Sequence, residues 1–531
     1  MCFSQNNNSN KFESPIDFPI LLSGNFGELR SSGFHSGIDI KTQGKEGLPI
    51  RSIDSGYVAR VQVSTSGFGK VVYIDHGNNI TTVYAHLSEF SDKIEKIMNK
   101  LQYKNKKYEV RKFFKSNELK IGKKEIIGLS GNTGSSFGPH LHFEIRKTDK
   151  ELPINPLYYN FDVKDTIRPY LRSLFLYGIK NGSLRKKQLN LSKVNDSTFT
   201  TGTIKTTDTI GFGIVSYDRQ NKTNNIFGNY KYSLYKNDTL SFELIFDSFT
   251  FSEKPFQKKF IDNEYYVQNR SRIVKLFGDK MNLSFVSKQN NGLLIKEGDH
   301  FNLKIKLSDY DNNNTYINLK VVGDSINYEY DKKIEFSYNK SINNQKKYHL
   351  KYNDHELIID KNTFDQKSKI LHKYENDTLY AYNPFVIAWK NFQIKYPISK
   401  YTKGQYLSRM NYDGSKSFVT DKIKDGYYNF RGKSLGKFFI DIDSIPPKLF
   451  RSKRLNYKNQ LQYYVVDKET GIKNYRVKIN DAWALFEYEP KLNKIFFKND
   501  TLINYGKVNK IEVFAEDLVG NSTKLIDSLL F

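Results

Sequence analysis

The sequence predicts a mainly β protein with several domains: an N-terminal antiparallel β-sheet domain that contains a groove, followed by β-sandwich modules. At 531 residues the chain is longer than one hydrophobic core usually supports, so three or four domains are expected. Aromatic residues make up 15% of the chain and alternate with Lys, Asn, Ser and Thr, which favours half-buried strands over helices. Glycine is dense up to about residue 159 and sparse beyond it, which indicates a domain boundary there.

The first 14 residues are polar and rich in Asn, so we expect them to be disordered and order to begin near Pro15. Their opening, Met1-Cys2-Phe3-Ser4-Gln5, resembles the end of a secretory signal whose charged and apolar parts are missing upstream. A lipid on Cys2 would need an apolar stretch before it, which the sequence does not contain, so lipid anchoring is unsupported and stays open. Because Cys2 is the one cysteine, no internal disulfide is expected.

Residues 15–160 are predicted to form one β domain. Two strand-like runs, 69–75 and 80–86, flank the turn 76–79 and predict a hairpin. Residues 91–115 are rich in Lys and predict a helical insertion on the surface, without a chemical role. The apolar residues at helical spacing in this segment are Ile94, Ile97, Met98 and Leu101.

Beyond residue 160 the chain contains an internal repeat. Asp165-x-Ile-x-Pro169 matches Asp443-x-Ile-x-Pro447, and a strand-like run that ends at Asp309 matches one that ends at Asp517. Each of these two runs is followed by an Asn-containing turn and a closing strand. Strands that begin after an Asp-x-Ile-x-Pro motif and end with an Asn-containing turn and a closing strand resemble the immunoglobulin-like sandwich domains of bacterial surface proteins.

The repeat sets the predicted domain boundaries. We expect one sandwich module at 161–323, enlarged by an insertion around 251–290, and another at 441–531. Residues 324–440 contain further strand-like runs and are predicted to form a third β module.

The formal net charge is +26, and the Lys residues are spread along the whole chain. Such a surface attracts anionic polymers, including envelope polymers, without regard to their sequence. A zinc-knuckle spacing, a helix-turn-helix pattern and an aromatic ribonucleoprotein motif are all missing from the sequence, so a specific nucleic-acid partner is not predicted. No run of about 18 apolar residues occurs, so no transmembrane segment is predicted. Composition leaves the oligomeric state open.

The strongest sign of chemistry is the segment Gly138-Pro139-His140-Leu141-His142-Phe143-Glu144. In a strand, alternate residues share a face, so Leu141 and Phe143 would point into the core. His140, His142 and Glu144 would then line the other face. A lone His-x-His pair is more often a polar strand face exposed to water, but this pair has partners upstream.

The first upstream partner is Gly33-Phe34-His35-Ser36-Gly37-Ile38-Asp39, where the glycines favour a tight loop that brings His35 and Asp39 together. Two histidines and a carboxylate suit zinc, and three protein ligands leave the fourth tetrahedral position for water. The second partner is His86, which we expect to face the groove while Ala85 packs inward. His76 lies in the hairpin turn and is interpreted as a turn residue, not a ligand.

Together these motifs resemble the lysostaphin/LytM-type zinc endopeptidases over roughly residues 20–155. The resemblance rests on His35-x-x-x-Asp39, Tyr84-Ala85-His86-Leu87-Ser88 and Gly131 to Glu144 in this order. It implies that His35, Asp39 and His142 bind one zinc ion per chain. It also implies that His86 and His140 are catalytic. The inserted segment 91–115 and the long β extension depart from the family pattern, so they leave substrate preference and regulation open.

The resemblance implies a zinc metalloendopeptidase that hydrolyses peptide stems or cross-links of peptidoglycan. It therefore implies an exported protein of the periplasm, cell envelope or extracellular space. Two alternatives stay open: a non-catalytic envelope-binding or hydrolase-activating scaffold, and a zinc peptidase that acts on proteins. The sequence does not assign which histidine is the general base, and it does not show which bond is cut.

Overall fold

The structure is a computed structural model that describes residues 12–30, 33–159, 161–180, 183–278, 283–324, 330–331, 337–364, 366–452, 461–497 and 502–531. Strands dominate it, which confirms the mainly β prediction. Cys2 and the rest of the signal-like opening lie outside the described residues. The described chain begins in an ordered conformation at Phe12, whose buried ring lies 5.1 Å from the ring of Tyr159. None of the helices in the described ranges is long and apolar enough to cross a membrane.

The N-terminal domain contains fourteen of the strands in the described ranges. These are β1 (Leu22–Gly24), β2 (Leu29–Arg30), β3 (Gly33–Phe34), β4 (Ile38–Lys41), β5 (Pro49–Arg51), β6 (Gly56–Val63), β7 (Lys70–Asp75), β8 (Ile80–Leu87), β9 (Glu89–Phe90), β10 (Val110–Phe113), β11 (Lys120–Ile121), β12 (Ile126–Leu129), β13 (His140–Lys147) and β14 (Leu152–Ile154). Its helices are α1 (Asp92–Asn105) and the short 3-10 helices Thr148–Lys150 and Pro156–Tyr159.

The main sheet of this domain has the order β1-β4-β13-β8-β7-β6-β10, with β14 beside β13 and β11 beside β6. Strands β5, β12 and β9 form a smaller sheet, and β2 pairs with β3. The predicted hairpin is confirmed as β7 and β8, in which Asp75 pairs with Thr81. The predicted helix is confirmed as α1, which buries Ile94 and Met98; residues 110–113 of the same segment form a strand instead.

The segment after the N-terminal domain folds into two sheets. Its strands are β15 (Tyr170–Lys180), β16 (Ser183–Leu189), β17 (Ser192–Asn195), β18 (Thr198–Thr200), β19 (Ile204–Lys205), β20 (Thr209–Tyr217), β21 (Lys231–Lys236), β22 (Thr239–Ile245), β23 (Val274–Lys275), β24 (Val286–Lys288), β25 (Leu293–Leu294), β26 (His300–Ser308) and β27 (Asn314–Val322). The predicted insertion contains the 3-10 helix Phe251–Lys259 and α2 (Asn263–Asn269), which is capped by the side chain of Asp262.

The next segment also forms two sheets. Its strands are β28 (Lys340–Ile342), β29 (Tyr348–Tyr352), β30 (His355–Ile359), β31 (Ser368–Glu375), β32 (Thr378–Tyr382), β33 (Phe392–Pro397), β34 (Gln405–Met410), β35 (Lys416–Thr420), β36 (Ile423–Lys424), β37 (Tyr427–Gly432) and β38 (Gly436–Ile442). Its core contains buried side chains from both sheets, such as Leu379 and Phe438 from one and Ile394 and Tyr428 from the other.

The last segment has two four-stranded sheets. Its strands are β39 (Lys448–Arg451), β40 (Gln462–Val466), β41 (Ile472–Ile479), β42 (Ala482–Ala484), β43 (Phe486–Glu489), β44 (Lys494–Phe497), β45 (Val508–Asp517) and β46 (Ser522–Leu530), with a 3-10 helix at Pro490–Leu492. Tyr463 and Ile495 from one sheet share a core with Val477 and Val513 from the other. The two repeated segments form matching antiparallel hairpins, β26 with β27 and β45 with β46. The exact module boundaries stay predictions.

The described residues divide into two compact units, Met1–Asn99 with Glu109–Lys333, and Lys100–Tyr108 with Ile334–Phe531. Within the first unit, Phe34 packs against rings from the β segment that follows the N-terminal domain. Its ring lies 4.8 to 5.7 Å from four others, those of Phe246, Phe249, Phe260 and Phe285. Because Phe34 precedes His35, this cluster fixes the chain directly beside a candidate ligand.

We expect Phe34→Ala to lower the free energy of unfolding of this unit by about 3–5 kcal/mol, because it leaves a cavity among packed rings. Denaturant-induced unfolding measures the change. The control is Phe113→Ala, since Phe113 is 63% exposed and its loss should change stability by no more than about 0.5 kcal/mol. Equal effects from the two substitutions would contradict the role given to the cluster.

Candidate metal centre

Three neighbouring strands of the main sheet carry most of the candidate site. Strand β13 lies between β4 and β8, and His142 pairs with Asp39 on one side and with Ala85 on the other. Directly opposed residues of an antiparallel pair project from the same face of the sheet. The strand register therefore places the side chains of Asp39 and His142 next to each other.

His35 reaches the same face from the loop before β4. Gly37 allows this loop to lie directly on β13, because a Cβ atom at this position would come 2.3 Å from the carbonyl oxygen of Phe143. Only glycine allows such a close approach. The loop thus places His35 beside the pair formed by Asp39 and His142.

The three side chains form a tight triangle of potential ligand atoms. His142 Nδ1 lies 2.9 Å from Asp39 Oδ1 and 2.9 Å from His35 Nε2. The third side, between His35 Nε2 and Asp39 Oδ1, measures 3.1 Å. All three residues are buried.

The remaining ring nitrogens of the two histidines have partners that set the tautomers. His35 Nδ1 lies 2.7 Å from the carbonyl oxygen of Asn25, to which it donates. His142 Nε2 lies 2.8 Å from Glu144 Oε1, to which it donates in the same way. In its neutral form each ring therefore presents its unprotonated nitrogen, His35 Nε2 or His142 Nδ1, to the triangle.

Electrostatics favour a cation in the triangle. Burial lowers the pKa of His35 to about 4, although Asp39 opposes that shift. Burial alone would raise the pKa of Asp39, but His35, His140 and His142 hold it well below its usual value. Burial alone would lower the pKa of His142, as it does for His35. Hydrogen bonds to Asp39 and Glu144 outweigh burial, so the pKa of His142 is raised. The ionised carboxylate thus attracts positive charge, which a metal supplies by replacing a proton.

His86 reaches the site by a route that strand alternation does not predict. Ala85 opposes His142, so Ala85 shares its face and a regular strand would turn His86 away. Instead the ladder between β7 and β8 shifts register near Lys70, and His86 adopts a left-handed backbone with φ of 63°. Ala85 packs inward as expected, since it is fully buried with Val71, Tyr73 and Val83, but the expected opposite orientation of Ala85 and His86 is wrong. A bulge turns the ring of His86 back toward His142, at 5.8 Å between ring centroids.

His86 and His140 lie side by side, with ring centroids 4.9 Å apart. His86 Nδ1 donates to the carbonyl oxygen of Thr133 at 2.8 Å, and His140 Nδ1 donates to that of Gly138 at 2.8 Å. Both rings therefore keep Nε2 as an acceptor. His140 Nε2 lies 3.5 Å from Asp39 Oδ1, at the edge of the triangle. Burial lowers the pKa of His86 to about 3, and the two neighbouring histidines add to the shift.

The triangle fits zinc. Ligand atoms of a tetrahedral zinc ion, about 2.0 Å from it, lie about 3.3 Å apart, close to the three separations found here. Two imidazoles and one carboxylate, with no thiolate, are the donor set of an open site rather than a closed structural one. Among the described residues, His35, Asp39 and His142 also form the one cluster that combines histidine with carboxylate at metal-binding distance.

The remaining histidines do not join this cluster. His76 uses both ring nitrogens in the hairpin turn, at 2.9 Å from Ser55 O and 2.7 Å from Thr82 Oγ1. This agrees with its interpretation as a turn residue. His355 packs instead between the rings of Tyr374 and Tyr396.

Some residues of the site escaped sequence reasoning. The strand pattern predicts that Glu144 lies on the same face as His142, but it does not predict that Glu144 fixes the ring of His142. It is fully buried, accepts from Ser36 Oγ at 2.6 Å and pairs with Arg146, and the Arg146 charge holds its pKa low despite the burial. Its position two residues after His142 was a usable signal. Arg30, which pairs with Asp39 Oδ2, lies nine residues away in another strand and left no sequence signal.

The comparison with known families agrees with this geometry. The model of Peptidase family M23 matches residues 33–103, which include His35, Asp39 and His86. The N-terminal part of the chain therefore contains an M23 peptidase domain, and the lysostaphin/LytM-type resemblance is confirmed for it. Metallopeptidases of this family are zinc-dependent. The longer β part of the chain lies outside the matched residues.

Two curated relatives illustrate the similarity. The DD-carboxypeptidase/endopeptidase Mpg of Neisseria meningitidis is 32% identical over 129 residues, which are 24% of this chain and 23% of the relative. The peptidoglycan DD-endopeptidase ShyA of Vibrio cholerae is 28% identical over 159 residues, 29% of this chain and 30% of the relative. The chain thus spans about a quarter of the length of the curated relatives it matches.

Two solved structures are also similar. A zinc-containing peptidase from Vibrio cholerae is 24% identical, with 28% of this chain and 39% of that chain covered and a TM-score of 0.21. The catalytic domain of lysostaphin from Staphylococcus simulans is 23% identical, with 25% and 86% covered and a TM-score of 0.19.

We expect Glu144→Gln to weaken zinc binding by about 10–100-fold, because the ring of His142 loses the carboxylate that orients it and raises its basicity. Competition with a chromogenic zinc chelator measures the affinity. Glu151→Gln is the matched control, since Glu151 also pairs with Arg146 but does not contact the ring of His142. Unchanged affinity in Glu144→Gln would contradict this assignment.

Proposed function

We propose that the protein is a zinc-dependent metalloendopeptidase that hydrolyses the peptide stems or cross-links of peptidoglycan. The observation that carries this proposal is the buried triangle of His35, Asp39 and His142 with His86 and His140 beside it. The M23 match over residues 33–103, which contain His35, Asp39 and His86, supports it, as do relatives named as a DD-carboxypeptidase/endopeptidase and a DD-endopeptidase.

In this proposal His35, Asp39 and His142 hold one zinc ion. Zinc bound there supplies a Lewis acid that polarises the scissile carbonyl and lowers the pKa of water. Asn25 and Glu144 keep the two imidazoles in the tautomers that ligation needs, and Arg30 holds the second oxygen of Asp39. The site is thus oriented before any ligand arrives.

His86 and His140 are proposed as the catalytic residues. Each has its Nδ1 proton committed to a backbone carbonyl, so each can accept a proton at Nε2. One of them would take a proton from the attacking water at Nε2 and deliver it to the leaving amine. The other would stabilise the oxyanion by a hydrogen bond in its doubly protonated form, because only that form carries a proton on Nε2. The low pKa of His86 keeps its ring neutral near pH 7.

The surroundings suit a flexible, extended peptide. His140 follows the Gly-rich loop 131–138, in which the ring of Phe137 is fully exposed. A net charge of +26 favours attraction to anionic envelope polymers. We accordingly propose an exported protein that acts in the periplasm, cell envelope or extracellular space.

We expect His142→Ala to abolish both zinc retention and the release of peptides from purified peptidoglycan, since it removes the central ligand. Elemental analysis and mapping of the newly released ends measure the two properties. His349→Ala is the control, because its half-exposed ring pairs with Glu356 and not with the triangle. Wall hydrolysis by purified His142→Ala would overturn the proposal. Cleavage of an unfolded protein but not of peptidoglycan by the unaltered chain would favour a protein-directed peptidase instead.

We expect His86→Ala and His140→Ala to keep zinc at one ion per chain but to slow peptidoglycan hydrolysis by about 10²–10⁴-fold, because each removes a proton carrier or an oxyanion donor. Zinc content and single-turnover rates are measured on the same preparations. If the protein were a scaffold without catalytic activity, the unaltered chain itself would not hydrolyse peptidoglycan. Full activity in both variants would refute the catalytic roles.

A further inference from the structure

The internal repeat carries the same aspartate framework at two places in the fold. In the first copy, the backbone N–H of Asn313 donates to Asp309 Oδ1 at 2.8 Å, and its side-chain amide donates to Asp309 Oδ2 and to the carbonyl oxygen of Asp165. In the second copy, Asn521 makes the same three hydrogen bonds to Asp517 and Asp443. A third carboxylate joins each copy, that of Asp218 or that of Asp467.

The two copies differ in how the third carboxylate is satisfied. Asp467 Oδ1 accepts hydrogen bonds from three successive backbone N–H groups, those of Glu469, Thr470 and Gly471. Asp218 is 94% buried, since its relative exposure is 6%, yet its Oδ1 has no hydrogen-bond partner among the described residues. A buried carboxylate oxygen without a hydrogen-bond partner lowers the stability of the fold unless a ligand contacts it.

A small cavity lies at the first copy. Its volume is about 40 Å³, enough for an ion with one or two waters. Four carboxylates line it, those of Asp165, Asp218, Asp309 and Asp311, and none of its lining residues in the described ranges is basic. Burial, with Asp309 nearby, raises the pKa of Asp218 to about 8, which reflects this uncompensated negative charge.

We propose that Asp165, Asp218 and Asp309 form a second metal site, which takes a hard divalent cation of the calcium class. Each offers a carboxylate oxygen, and these oxygens all lie within 4.8 Å of one another. Oxygens on opposite sides of a calcium ion, at 2.3–2.6 Å from it, are about 4.6–5.2 Å apart, so the cluster matches its size. An all-oxygen donor set favours calcium over zinc.

The position of this site links it to the metal centre of the N-terminal domain. Asn25 lines the same cavity, and its carbonyl oxygen is the group that accepts from His35 Nδ1. The loop that follows Asp218 is hydrogen-bonded to the segment that contains Asn25. The Gln220 side chain accepts from the N–H of Leu22, and the carbonyl oxygen of Gly228 accepts from the Asn25 side chain. A cation bound by Asp218 would therefore stabilise the hydrogen-bonded contact between this loop and Asn25, the residue that orients His35.

The test uses the full chain, stripped of metal and then reloaded with zinc. We expect calcium chloride to raise the midpoint of thermal unfolding by about 2–8 °C in a saturable way. Terbium should bind with luminescence sensitised by tyrosine excitation, because Tyr230 and Tyr310 line the cavity. Absence of a saturable calcium effect up to millimolar concentrations would overturn the proposal.

Paired variants locate the effect. Asp218→Asn should remove one equivalent of bound terbium and the calcium-dependent rise, while its calcium-free midpoint stays equal to or above that of the unaltered chain. If Asp218→Asn unfolds at this midpoint and calcium does not raise it, misfolding cannot account for the lost calcium response. Asp467→Asn, in the hydrogen-bonded copy, should keep the calcium response. A response that survives Asp218→Asn, or that disappears only in Asp467→Asn, would place the ion elsewhere.

A third variant separates this proposal from the enzymatic one. His142→Ala should lose zinc but keep the calcium-dependent rise, because the two sites use different side chains. Failure of the enzymatic proposal would leave this rise in place. Loss of the calcium response together with zinc would show that calcium acts at the zinc triangle, and would contradict a second site.

Discussion

The ring of His142 is held at both nitrogens, and the site depends on this constraint. Nδ1 faces Asp39 and His35, while Nε2 donates to Glu144, which is itself fixed by Ser36 and Arg146. Because Glu144 is fully buried, its charge is screened little by water and the ring has one favourable orientation. A chain of buried ionic and hydrogen-bonded partners thus gives the central ligand its tautomer before a metal arrives.

The polar face of β13 is unusual in being buried. A strand with one polar face is usually solvated there, whereas His142, Glu144 and Arg146 are all less than 5% exposed. Phe68 packs on the ring of His142 at 5.0 Å, and the Arg146 guanidinium lies 4.6 Å from the ring of Phe251. Aromatic cover excludes water from the ion pairs, which strengthens them and shifts the pKa values described above.

The N-terminal domain also depends on the β segment that follows it. Phe34, next to His35, is buried among rings of the insertion and its flanking strands, and Asn25, which orients His35, is hydrogen-bonded to Gly228. The β extension in the first compact unit is therefore part of the structural support of the site.

The sequence by itself determined the fold class, the hairpin, the helix, and five residues that prove to lie together, because local periodicity and short motifs report on strands and ligand types. The bulge at His86, the pairing of Arg30 with Asp39 and the Phe34 cluster were decided only by the tertiary structure. They depend on strand register and on contacts between residues as far apart as 34 and 285, and no local pattern encodes these. The two aspartate frameworks differ for the same reason. Their motifs match, but only the packed fold leaves Oδ1 of Asp218 buried without a hydrogen-bond partner among the described residues.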